Sequence, residues 1–536
     1  MERKCSLGML LAASIALFAF EGCTSELRHV PIDTQVVRPE KAVVVFFADG
    51  VNKDRLEEMI AAGELPNIKE RFVDGGVTVK NAVTVLPSIT YAVSVSMLTG
   101  LFPGHHGILG NRWFDPLECI ARYYITASTY RTVNQHFHRP TLYEVLSDCF
   151  TVNVQFHSRR GVTYTIDNAI PTGINYFLET FWWVDERVGR CVVDVERLAN
   201  RVGRWPVVYW NYFPGIDETA HANTTETHRY RRELTTIDTS IGQVLEGVER
   251  AGMADSTYYV FMTDHGHNRT EPGHELDLAA WIAQTRDLRV FTGAITFGDY
   301  PSRLRRIQKY DAVVLTGASR RVAIYLPGRN GWGTPVDTEA IDAVINGATG
   351  AEPMWALPSV EVVCAPRGRD AIEVLSKAGK VAVERRRVDD RKEYRALGDV
   401  QRVLGYTIDG WHDADAWLSK TASTGMPDFV PQVVEMFDSP RAGNIVVFAA
   451  EGWTFGLGDA SGHGSCIAAD MRVPLYFAGP DLPAGGSIDC ARVVDVMPTI
   501  VDLLDRGDRL AEIGRLDGKS IANELHNASV RDNEDQ

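Results

Sequence analysis

Cysteine, basic charge and long apolar runs are all scarce in this sequence. Eight cysteines in 536 residues are irregularly spaced, with no Cys-x-x-Cys pair, which excludes a finger- or ribbon-type structural zinc site. Lysine and arginine number 55 against 70 aspartates and glutamates, a formal net charge of −15. That field opposes sequence-independent binding to nucleic-acid duplexes or to an anionic membrane surface. Beyond the first two dozen residues no segment approaches the roughly 18 apolar residues of a membrane span. An acidic protein can still hold an anionic substrate where bound metal ions offset the field.

The composition is that of a globular chain, 45% hydrophobic and 23% charged, long enough for one large α/β domain with insertions or two ordinary domains. Residues 1–4 form a short basic start and 7–20 an apolar run of signal-segment length. Gly22-Cys23 then resembles a bacterial lipoprotein processing site, although Phe20 and Glu21 are unusual there. The expectation is export, to the periplasm, as an outer-membrane lipoprotein of a bacterium, or by secretion, with a lipid anchor possible at Cys23. The remaining cysteines beyond Cys5 (Cys119, Cys149, Cys191, Cys364, Cys466 and Cys490) permit disulfides without fixing their pairing.

Residues 24–40 read as a polar linker. Residues 42–48 (AVVVFFA) are a continuous β-branched and aromatic run, as in a strand buried on both faces of a parallel sheet. Helical periodicity follows at 53–62. The alternation recurs: helix 141–148 and strand 151–156, helix 192–202 and strand 207–213, helix 228–252 and strand 258–263. This order predicts a doubly wound, mostly parallel α/β sheet. From about 291 the rhythm breaks into short strand-like runs, including the charged stretch ERRRVDDRKEY at 384–394, a solvated hairpin or loop. The α/β rhythm is expected to return at 444–450 and 473–478 with a helix at 491–504. The organisation is therefore an export segment 1–23, a linker 24–40, a catalytic α/β domain in two parts (41–290 and 427–510), an inserted smaller α+β cap (291–426) and a C-terminal tail (511–536).

Three expected strands run directly into metal-capable residues: Asp49; Asp217 and His221 after Phe213-Pro214; and Asp264-His265 after Thr263. Ligands in open α/β sheets bind outside the carboxyl ends of the strands. Four residues apart, Asp217 and His221 share one face of a helical turn. Mixed imidazole and carboxylate donors favour zinc or manganese over magnesium or calcium. Gly462-His463-Gly464 offers a further imidazole. Thr90, in Pro87-Ser88-Ile89-Thr90-Tyr91, opens an expected helix, where a hydroxyl meets free backbone N–H groups. Alone, Thr90 reads as a helix cap, and each Asp or His as a turn or loop residue. His267 and His274, close after Asp264-His265, read as loop histidines or as groups that support the metal-capable residues from behind.

Taken in order, these segments resemble the alkaline phosphatase superfamily, and most closely its type I phosphodiesterase/nucleotide pyrophosphatase family. The matching motifs are Asp49-Gly50, Pro87 to Thr90, Thr99-Gly100, Pro103, His106-Gly107-Ile108, Asn111, Asp217 with His221, Thr263 to Gly266, and His463-Gly464. The resemblance covers roughly 41–275 and 440–505. It implies a site for two divalent ions, zinc foremost and manganese second. Asp217, His221 and His463 hold one; Asp49, Thr90, Asp264 and His265 hold the other. It also implies Thr90 as nucleophile through a phosphothreonine. Asn111, with the Tyr91 backbone N–H, binds a non-bridging oxygen, and Tyr91 can stack on a substrate base. The implied partner is a small phosphorylated molecule, a nucleotide or other phosphodiester.

The sequence departs from that family after Tyr91 (Ala92-Val93-Ser94) and at His157-Ser158-Arg159-Arg160-Gly161. Arg159 and Arg160 read as solvent-exposed or as contacts to a second phosphate. Tyr176, Phe177, Phe181, Trp182 and Trp183 read as a pocket wall or as packing. These departures leave open a phosphomonoesterase or phosphonate hydrolase on the same site, or a non-catalytic metal-stabilised binding protein of the envelope.

Overall fold

A computed structural model describes residues 36–126 and 128–530. The export segment with Cys23 lies outside the described residues. The larger of two principal sheets contains β1 (Ala42–Ala48), β2 (Val77–Val83), β3 (Thr151–Val154), β4 (Tyr164–Ile166), β5 (Val208–Phe213), β6 (Thr257–Met262), β7 (Leu475–Ala478), β8 (Gly486–Arg492) and β9 (Ser529–Val530). They are ordered β9-β8-β2-β7-β6-β1-β5-β3-β4. β7 and β9 alone on this path pair antiparallel with their neighbours. The sheet is therefore mostly parallel, as the apolar runs predicted.

β1 shows why. All seven of its residues are buried. Val43, Val45 and Phe47 face one core and Ala42, Val44, Phe46 and Ala48 the other, because strand side chains alternate. Helices cover both faces. On the first lies α1 (Thr90–Thr99), which has no charged residue and is buried on every side. On the second lie α2 (Gly215–Asn223) and the amphipathic α3 (His228–Arg250). α3 turns Leu234, Ile237, Ile241, Val244 and Val248 inward at three- and four-residue spacing.

The smaller α+β region carries an eight-stranded sheet that is antiparallel except where Val290–Phe291 meets Ala312–Gly317. The strand Ile445–Ala449 lies in its middle, antiparallel to both Arg321–Tyr325 and Val360–Pro366. The sequence reading placed this run back in the larger sheet. A central strand of any sheet is buried on both faces, so IVVFA looks the same in either setting. The charged stretch at 384–394 is a hairpin, Gly379–Val388 with Arg391–Gly398. It is not wholly solvated: Arg385 is buried and ion-paired to Asp370, Glu435 and Asp438. All six described cysteines are unpaired. Among the described residues no helix is long and apolar enough to cross a membrane.

Candidate active site

The parallel strands β1, β5 and β6 release their chains side by side, and their next residues meet in one crevice. Asp49 follows β1 directly and is buried; Tyr212 of β5 donates its hydroxyl to Asp49 Oδ2. After β5, Pro214 turns the chain into α2, which carries Asp217 and His221 one turn apart. Asp185 Oδ1 accepts the Gly215 N–H at 2.8 Å and so caps α2 from outside. After β6 come Asp264 and His265, both fully buried. Asp264 Oδ1 accepts the Gly50 N–H at 3.0 Å, tying the two strand ends together. His463 arrives from the other region: Ser461–Gly462 pairs with Asn268–Arg269, and the His463 carbonyl accepts the Arg320 N–H at 3.2 Å.

Two donor clusters result, each with its ligand atoms within 4.8 Å of one another: Asp49, Asp264 and His265; and Asp217, His265, His267 and His463. His221 Nε2 lies 3.6 Å from Asp217 Oδ2. Thr90 stands in the first turn of α1 with Oγ1 3.3 Å from His265 Nε2. The crevice opens into a cavity of about 710 Å³ lined by Asp49, Thr90, Tyr91, Asn111, Asp217, His221 and His463. Asp264 and His265 lie beneath it. The structure thus gathers the sequence-selected residues in one place.

Their electrostatics are those of a site built around positive charge. Burial, reinforced by Asp264 and Asp217, holds the Asp49 carboxyl well above its ordinary range. Burial likewise pushes Asp264 up to about 7, with Asp217 contributing. Burial opposes ionisation of Asp217 as well, but His221, His267 and His463 together hold it well below the usual carboxylate value. Burial lowers His265 to about 3 and, with His265 alongside, His463 well below its usual value. Asp49 Oδ1 and Asp264 Oδ2 are buried with no hydrogen-bond partner. Burial-lowered imidazoles at His265, His267 and His463, crowded carboxylates and orphaned carboxylate oxygens are what a divalent cation satisfies. The donor chemistry fits two such ions.

Other expected residues sit as follows. The Tyr91 N–H donates to Asn111 Oδ1 at 3.2 Å. The Tyr91 ring packs against Tyr124 and His157, with centroids 4.9 and 4.1 Å away, and its hydroxyl donates to the Tyr124 carbonyl. Arg159 and Arg160 are engaged by Asp167 and Glu144. Of the aromatic cluster only Tyr176 lines the cavity; Phe177 is exposed and Trp182 stacks under Arg232. His274 stacks on Trp453 outside the site.

His267 differs from its reading as a loop histidine. It is buried, with Nε2 2.7 Å from Asp217 Oδ1. The available signal was its position two residues after His265 across a glycine, which lets both imidazoles turn to one side of an extended chain. Tyr212 and Asp185 were also missed; neither carries a signal in the sequence, since each acts through a tertiary contact.

A helix-borne hydroxyl thus stands over paired metal-donor clusters at the ends of a mostly parallel sheet. The profile of the type I phosphodiesterase/nucleotide pyrophosphatase family matches residues 43–346, more than half of the chain. The chain belongs to that family. An uncharacterized pyrophosphatase/phosphodiesterase of Schizosaccharomyces pombe is 23% identical over 292 residues, 49% of this chain and 52% of the yeast protein. Ectonucleotide pyrophosphatase/phosphodiesterase family member 1 of Rattus norvegicus is 22% identical over 47% of this chain and 26% of its own. A bis(5'-adenosyl)-triphosphatase of Bos taurus is 25% identical over 45% and 50% respectively. The matches thus span a quarter to half of these relatives' lengths. Murine ectonucleotide pyrophosphatase/phosphodiesterase 5 shares the fold at TM-score 0.55 and 14% identity, over 91% of this chain and 99% of that one. An inactive variant of the same murine protein, solved in complex with AMP, aligns at TM-score 0.53.

Proposed function

We propose that the protein hydrolyses phosphodiesters of the nucleotide class, with Thr90 as nucleophile and two divalent ions, zinc foremost, as cofactors. Asp217, His221 and His463 would hold one ion; Asp49, Thr90, Asp264 and His265 would hold the other. Bound there, the ions supply Lewis-acid charge to the phosphoryl oxygens and lower the pKa of the Thr90 hydroxyl. Thr90 Oγ1 forms a bond to phosphorus as the bond to the leaving oxygen breaks, giving a phosphothreonine. Water then attacks phosphorus and returns the hydroxyl. Asn111 and the Tyr91 N–H lie beside Thr90 to bind a non-bridging oxygen. Residues 41–290 and 427–510 act as the catalytic unit and 291–426 as its cap, except that Ile445–Ala449 builds the cap's sheet. Export and a lipid on Cys23 complete this reading.

The observation that carries it is Thr90 Oγ1 on the first helical turn, 3.3 Å from His265 Nε2, over both donor clusters. The cavity wall favours a diester over a monoester. Its lining includes Glu218, Asp459 and Asp167 but one arginine, Arg112, and no lysine, so the second charge of a monoester would meet a wall short of cations. The test is hydrolysis of a chromogenic phosphodiester and its matching monoester by the zinc-loaded protein and by Thr90→Ala. The diester should be preferred, and Thr90→Ala should lower its turnover on the order of 10³-fold or more. Undiminished turnover in Thr90→Ala overturns the nucleophile; monoester preference favours the phosphomonoesterase reading; inactivity on both leaves the binding-protein reading.

A further inference from the structure

Four imidazoles meet at the strand ends, and each directs Nδ1 away from the crevice. His221 Nδ1 lies 2.9 Å from the Ser461 carbonyl, His463 Nδ1 3.0 Å from the Ser88 carbonyl and His265 Nδ1 3.2 Å from the Gly266 carbonyl. A carbonyl only accepts, so each of these nitrogens carries its hydrogen and, in the neutral ring, each Nε2 offers a lone pair. His267 differs in that its Nδ1 meets a hydroxyl, Ser461 Oγ, at 3.0 Å. That hydroxyl donates to the Ala220 carbonyl at 2.7 Å. Having spent its one hydrogen, Ser461 Oγ accepts from His267 Nδ1. His267 Nε2 is then a lone pair too.

That lone pair faces Asp217 Oδ1 at 2.7 Å. Two acceptors at this distance, inside the protein, repel unless a proton or a metal cation lies between or beside them. The neighbouring donors sit at comparable range: His221 Nε2 is 3.6 Å from Asp217 Oδ2 and His463 Nε2 is 3.8 Å from Asp217 Oδ1. Ligands held tetrahedrally at about 2.0–2.1 Å from zinc lie about 3.3 Å apart, within the span of these separations. The space is also kept clear. Gly50, at φ +64°, passes so close that a Cβ there would lie 2.6 Å from Asp217 Oδ1 and 2.8 Å from His267 Nε2.

We propose that His267 is a fourth protein ligand of the ion held by Asp217, His221 and His463. The inference rests on the two-ion reading above and adds one residue to it. The donor set becomes one carboxylate and three imidazoles, which selects zinc strongly over magnesium or calcium.

The test is competitive chelator titration of Zn²⁺ against the metal-free protein and against His267→Leu, with a zinc-edge anomalous map of the Zn²⁺-loaded wild-type crystal. The wild type should bind two ions per chain. His267→Leu should lose affinity at one of them by about 10–100-fold or more, and the map should place an ion about 2.1 Å from His267 Nε2. Two ions bound by His267→Leu with unchanged affinities, or an ion beyond bonding distance of Nε2, overturn the proposal and leave the two-ion reading intact. A wild type that binds no zinc overturns both. If His267→Leu fails to fold, the wild-type map alone decides.

Discussion

At the scale of single residues the site depends on who holds each ligand. Asp49 offers one carboxylate oxygen to the crevice because the Tyr212 hydroxyl occupies the other. Such outer contacts orient ligands and are worth about 10–100-fold in metal affinity or activity. Tyr212→Phe keeps the ring, which packs against Phe47 at 4.9 Å, and removes only the donor. It should leave stability nearly unchanged while lowering zinc affinity and diesterase rate within that range. Wild-type values for both would show that Asp49 is positioned by its own strand alone. The proposed ligands themselves were legible as candidates: Asp49, Asp217 and Asp264 follow apolar runs that end where chemistry begins. His267 was not, because a histidine on a loop reads the same whether it faces solvent or an ion. The hydrogen-bond chain through Ser461 made the difference.

At the scale of elements, α2 is the part whose placement matters most, since it carries Asp217 and His221. Its first residue, Gly215, is pressed against its neighbours. A Cβ there would come within 2.5 Å of the Phe181 carbonyl oxygen and 3.0 Å of Asp185 Oδ2. Gly215→Ala should therefore push α2 outward, costing about 1–3 kcal/mol as overpacking does, and weaken zinc binding in parallel. Denaturant unfolding and zinc titration measure the two effects; a variant as stable as wild type with full zinc affinity would mean that α2 tolerates the shift. One helical turn linking Asp217 and His221 was legible from their spacing, and so were the neighbouring strands, because a run of residues buried on both faces is uniformly apolar. The same signal misplaced Ile445–Ala449. A one-dimensional pattern reports burial, and burial does not say in which sheet.

At the scale of the whole molecule, a seam of ionised groups joins the smaller region to the larger. His105 contacts Asp517, Glu435 and Asp438, while Arg385, Lys392 and Tyr394 of the charged hairpin reach Glu435. Burial disfavours the imidazolium, but Asp438, Asp517 and Glu435 raise His105 from 6.5 to about 11. A raised histidine stabilises the fold fully below its ordinary value near 6.5 and loses that contribution as pH climbs toward 11. Burial also opposes ionisation of Asp438, which His105 and Arg385 nonetheless hold down at about 2. Its contribution is complete above the ordinary value of 3.8 and fades as pH falls toward 2. The stability gap between wild type and His105→Gln should thus be widest near pH 5–6.5 and narrow by pH 10. Urea unfolding across that range measures it, and a gap independent of pH would count against a charged His105.

The sequence by itself determined the family, the α/β class and the order in which the metal-capable residues appear. It could do so because strand-end chemistry is local: an apolar run stops and a carboxylate, imidazole or hydroxyl follows. Tertiary structure alone decided which strands share a sheet, that Tyr212 and Asp185 hold the ligands in place, and that His267 faces Asp217. These contacts join residues far apart in the chain, and their energies depend on burial and hydrogen-bond direction, which the folded chain supplies.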